Sequence, residues 1–155
     1  MAESLLRIVG LGSDHGDDRA GWEAIRRLAD GLPSWIQLAE AADPLAIVGE
    51  MPEADSLIVI DACRGAGLPG SIHRFEWPET SLPICGSLST HGLGLAAALQ
   101  IAEELGRLPS RVVVFAIEAV AEGSAAALSP AVEAAIPKLV ARVLEEAAAL
   151  AGREL

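Results

Sequence analysis

The 155-residue chain has no tyrosine, only 3% aromatic residues, two cysteines, and half as many basic as acidic residues, 11 against 22. Each shortage excludes something. Cys63 and Cys85 stand alone, with no CxxC pair, so the chain encodes no disulfide framework. A formal charge of −11 disfavours a phosphate backbone or an anionic membrane as partner. No apolar run is long enough to span a bilayer. The opening MAESLLRIVGLG lacks the basic leader and cleavage site of a signal peptide. The expectation is a cytoplasmic protein with neither nucleic acid nor membrane as partner.

What is present is aliphatic. The chain is 52% hydrophobic, and its length suits one domain, residues 1–155, with a core of its own. Strands are expected at Leu5–Val9, WIQLA (35–39), LIVID (57–61), SIHRFEW (71–77) and RVVVFAI (111–117). LIVID is continuously apolar and β-branched, as in the centre of a parallel sheet. SIHRFEW is polar enough for an edge. Helices are expected from Asp17 to Ala29, from Pro44 to about Met51 behind an Asp43 cap, and from Ser89 to Leu105, stopped at Gly106. A final Ala-rich helix follows Ser129-Pro130, with Pro137 expected to kink it or to mark a one-turn adjustment. The segments EAVAEGSAAA and PETSLPICGS read as loops. This alternation predicts an α/β fold: an open, mostly parallel twisted sheet of about five strands, covered by helices on both faces. Sites in such sheets lie beyond the carboxyl ends of the strands.

The loop GLGSDHGDDRAG (10–21) sits at such an end. Gly10, Gly12 and Gly16 loosely match a dinucleotide fingerprint, with Glu40 as its ribose-binding acid. Against that reading, Asp14, Asp17 and Asp18 put negative charge where a pyrophosphate would seek a helix N-terminus. At about 4 Å two like charges repel by roughly 1–4 kcal/mol. The loop suits a cation better than a phosphate.

Asp17 and Asp18 follow the first strand, Asp61 closes LIVID, and His91 begins a helix. Singly, each has a plain alternative: a helix cap for Asp17, an Asx turn for Asp61, a structural imidazole for His91. Together, two carboxylates and a neutral imidazole at one sheet edge suit a borderline divalent metal such as zinc or nickel. Cys63 reads as a small buried residue, His73 as a structural strand residue, His15 as a solvated loop residue and Trp22 as core. The acidic pair Glu145 and Glu146 marks a solvated helix face.

GxG…GDDxxG, the IVID-type strand end and STHGLGLAAAL, in this order, resemble the hydrogenase maturation proteases, endopeptidases of the HybD and HycI type. The resemblance runs through nearly the whole chain, including LSPAVEAAI. It implies removal of a C-terminal extension from the large-subunit precursor of a [NiFe] hydrogenase, after nickel insertion. It also implies that Asp18, Asp61 and His91 bind the metal, namely the nickel of the precursor, for which zinc or cadmium could substitute. Asp17 is then the neighbour available to polarise the attacking water. Asp18 stands where many relatives carry Glu. AEAADP (39–44) replaces their Gly-Gly-Thr turn, and the loop before GDD is one residue shorter. The other functions carried forward are a non-catalytic, partner-binding relative of this family and a nucleotide-binding α/β domain.

Overall fold

A computed structural model of the protein describes residues 4–50, 54–78, 94–120 and 127–155. Among these are five strands: β1 (Leu6–Leu11), β2 (Ile36–Ala41), β3 (Ser56–Cys63), β4 (Ile72–Glu76) and β5 (Arg111–Glu118). They form one sheet in the order β2-β1-β3-β5-β4. β1, β2, β3 and β5 run parallel, while β4 joins β5 antiparallel at the edge. The α/β architecture expected from the sequence is the one observed, down to the polar edge strand.

All eight residues of β3 are buried, which accounts for the unbroken apolar run. Alternation along the strands then divides the core in two. Ile8, Ile58, Ile60, Val113, Phe115 and Ile117 face one side. Val9, Leu57, Val59, Cys63, Val112 and Val114 face the other.

Helix α1 (Ala20–Leu28) and the long α4 (Pro130–Ala151) cover the first side. The buried residues of α4 are Val132, Ile136, Leu139, Val143 and Ala147, steps of three and four that keep one stripe against the sheet. Pro137 lies inside α4 and does not end it. The short α2 (Ala46–Glu50) and α3 (Leu95–Glu104) belong to the second side, through Ile47, Leu95 and Leu99. The Asp43 carboxylate accepts from Leu45 N–H at 2.9 Å in the turn ahead of α2, which starts at Ala46, two residues later than the expected Pro44. Among the described residues, no helix is long and apolar enough to cross a membrane.

The first helix departs from expectation at its start. Gly16–Arg19 form a 3-10 turn, and the α-helix begins only at Ala20. Trp22, expected in the core, is half-buried and uses its indole N–H to reach the Ala41 carbonyl at 3.1 Å. A buried indole needs a hydrogen-bond partner, so the ring settles at the rim of β2.

Candidate functional site

The parallel part of the sheet reverses direction of growth between β1 and β3. From β1 the chain steps outward to β2, then returns past β1 to β3 and on towards β5. Such a switch point leaves a crevice beyond the carboxyl ends of the two diverging strands. The loop after β1 carries Asp17 and Asp18; Asp61 lies near the end of β3. Topology alone brings these two segments together.

Glycine lets the loop lie down on the sheet. A Cβ on Gly10 would strike the Gly21 carbonyl, and one on Gly12 would strike the Asp18 carbonyl. Gly10 and Gly12 of the loose phosphate fingerprint are therefore explained by close approach of α1 and its preceding turn to β1, while Gly16 has a positive φ of 49°.

Asp17 and Asp18 are both buried, at 3% and 7% exposure, yet their surroundings differ. Asp17 accepts three hydrogen bonds: Ser129 N–H at 2.7 Å, Ser129 O–H at 2.8 Å and Val120 N–H at 2.9 Å. It ties the 3-10 turn to the end of β5 and the start of α4, and caps neither its own turn nor α1. Ser129 is the N-cap residue of α4 by backbone position, but its hydroxyl serves Asp17 instead of the helix. Asp18 accepts from the Ser13 hydroxyl at 2.7 Å. Its backbone closes the turn, with its N–H donating to His15 O and its C=O accepting from Ser13 N–H.

Asp61 is the unusual group. It is 1% exposed; Oδ1 accepts from Ala62 N–H at 2.8 Å, while Oδ2 has no partner among the described residues. Its pKa is pushed well above the ordinary carboxylate value, chiefly by burial. The Ala62 hydrogen bond opposes the shift, the negative charge of Asp18 adds to it, and Arg64 opposes it. A buried carboxylate oxygen with no donor is costly. A cation placed between Asp18 and Asp61 would supply what Oδ2 lacks and relieve the repulsion between the two acids. The donor set thus fits a divalent metal.

His91, the third expected ligand, and Cys85 lie outside the described residues. His15 is exposed and stands 3.6 Å from Asp14, the solvated loop residue that was expected. Glu40 pairs with Arg26 at 3.1 Å.

A model of the HycI hydrogenase maturation protease family matches residues 40–146, more than half of the chain. The chain belongs to the hydrogenase maturation protease family. The solved structures it resembles include the hydrogenase maturating endopeptidase HybD from Escherichia coli, at 23% identity and a TM-score of 0.80, over 92% of this chain and 91% of that one. A second Escherichia coli endopeptidase aligns at 24% identity and a TM-score of 0.83, covering 97% and 95%. The [NiFe] hydrogenase maturation protease HybD from Thermococcus kodakarensis gives 23% and 0.73, covering 92% and 98%. These likenesses concern the fold. No curated protein matches by sequence.

The sequence pattern of this maturation protease homologue does not single out Glu118. The expected strand RVVVFAI stops at Ile117 and leaves Glu118 as the first residue of a loop, whereas β5 extends to Glu118 and buries it to 3% exposure. The signal was available, because an acid ending an apolar strand is the criterion that singled out Asp61.

Proposed function

We propose that this chain is the endopeptidase that removes the C-terminal extension of a [NiFe] hydrogenase large-subunit precursor once nickel is in place. The precursor's nickel is the group read by Asp18, Asp61 and His91. The observation that carries this reading is the buried Asp61 Oδ2, without a hydrogen-bond partner among the described residues, beside the charge of Asp18 at the sheet's switch point.

The chemistry follows from that arrangement. In the free enzyme, burial and the Asp18 charge favour the protonated form of Asp61. Arrival of a cation reverses the balance, since a nearby positive charge stabilises the carboxylate. The two acids therefore discriminate a metal-loaded precursor from an empty one. Holding the metal also places the scissile peptide near the cleft, a gain of proximity. Water adds to the peptide carbonyl carbon, and the amine of the extension leaves with a proton. Asp17 has both oxygens engaged by Ser129 and Val120. In this reading it positions the turn that carries Asp18, in place of the expected role in polarising water.

The test is a processing assay on purified precursor, with and without nickel, followed by mass spectrometry of the released extension. Nickel-loaded precursor is expected to be cut and nickel-free precursor spared. Asp18→Ala, Asp61→Asn and His91→Ala should each slow cutting by about 10²-fold or more, the scale of a lost placement. Equal cutting of nickel-free precursor, or full activity in Asp61→Asn, would overturn the proposal.

A further inference from the structure

Two residues beyond Asp61, about 7 Å along the strand, a second set of donor atoms converges. Cys63 on β3 is the register partner of Glu118 on β5. His73 on β4 pairs with Ala116, two residues before Glu118 on the same strand. Period-two alternation puts all three side chains on one face of the sheet, from three adjacent strands.

Their atoms are close. The Cys63 Sγ lies 3.3 Å from Glu118 Oε2, and His73 Nε2 lies 3.7 Å from the same oxygen. One ligating atom from each residue falls within 4.8 Å of the others. Tetrahedral zinc, with bonds of about 2.0–2.1 Å to nitrogen and oxygen and about 2.3 Å to sulfur, requires donors about 3.3–3.6 Å apart. Small side-chain adjustments reach that geometry.

The carboxylate is already held for the task. Gly65 N–H donates to Glu118 Oε1 at 2.6 Å, and Ala66 N–H spans both oxygens at 3.2 Å. Backbone donors of this kind orient a ligating carboxylate from behind. A simple S–H···O hydrogen bond explains Cys63 beside Glu118. It does not explain His73, whose Nε2 is shielded from solvent with no hydrogen-bond partner among the described residues.

We propose that Cys63, His73 and Glu118 bind one borderline-soft divalent cation of the zinc type, at a site separate from Asp18 and Asp61. Thiolate and imidazole select zinc, cobalt or nickel over magnesium and calcium. The thiol proton is released to solvent as the metal–sulfur bond forms. The inference does not depend on the proteolytic reading.

Cobalt(II) is the probe, because a thiolate ligand gives it a near-ultraviolet charge-transfer band that carboxylates and imidazole do not. One equivalent should produce that band in the wild type, in Cys85→Ser and in Asp61→Asn. Cys63→Ser should abolish it, and His73→Gln should weaken binding at least about tenfold. No band at stoichiometric cobalt, or a band that survives Cys63→Ser, would overturn the site. Zinc-edge X-ray absorption on the wild type requires no variant. One sulfur at about 2.3 Å with nitrogen or oxygen at about 2.0–2.1 Å supports the proposal; a shell without sulfur refutes it.

Discussion

Asp61 carries a cost in the free protein that its neutral analogue avoids. Its folded pKa lies above the unfolded value, mainly because the carboxylate is buried. Below the unfolded pKa both states are protonated and the group has no effect on stability. As pH rises past that value the unfolded chain ionises first, so stability falls until the folded pKa is passed. Asp61→Asn is therefore expected to melt higher than the wild type at neutral pH, with the difference shrinking towards pH 4. Melting curves of the metal-free proteins across that range check it. A difference independent of pH would mean that Asp61 does not ionise abnormally. The same variant is expected to lose processing, so stability and activity should move in opposite directions.

Among elements, the 3-10 turn, β5 and α4 are joined through one carboxylate, and Asp17 shows the contrasting behaviour. Hydrogen bonds to a charged group are worth about 1.5–3 kcal/mol each, and they are not additive when they share an acceptor. Asp17→Ala, which strands Ser129 and Val120 N–H groups, should cost about 3–5 kcal/mol. Ser129→Ala removes only the hydroxyl donor and should cost about 1–2 kcal/mol. Denaturant titration measures both. Processing by Asp17→Ala should fall together with stability, because the turn that carries Asp18 loses its anchor. Asp17→Ala with normal stability and no activity would instead make Asp17 a participant in the chemistry.

At the scale of the whole molecule, charge decides the response to salt. The chain carries −11, and self-repulsion at that density destabilises the compact state. Opposing it are surface pairs, Arg27 with Glu133 between α1 and α4, and Arg74 with Glu146 between β4 and α4, at 2.6 and 2.8 Å. Partly exposed pairs of this kind contribute about 0–1 kcal/mol each. Salt screens both effects over about 10 Å at 0.1 M, and with an excess of 11 acidic residues the repulsion is expected to be the larger. The melting temperature should rise with sodium chloride concentration; a fall would show that the pairs dominate.

Local pattern made most of the fold legible. LIVID and RVVVFAI read as buried strands from their short, β-branched apolar runs, and SIHRFEW had the polarity of an edge. The last helix was legible from its Ser129-Pro130 start and its Ala-rich run. Asp61 stood out as a candidate because a carboxylate left unpaired at the end of an apolar strand is costly. Period and propensity act over a few residues, so the sequence by itself determined which segments are strands, which are helices and which face of each is apolar. Only the tertiary structure decided which strands lie side by side. The joining of Asp17 to Ser129, 112 residues away, and of Cys63 to Glu118, 55 residues away, depends on that pairing. So does the burial that raises the Asp61 pKa, since desolvation is set by what packs around a group and not by its neighbours in the chain.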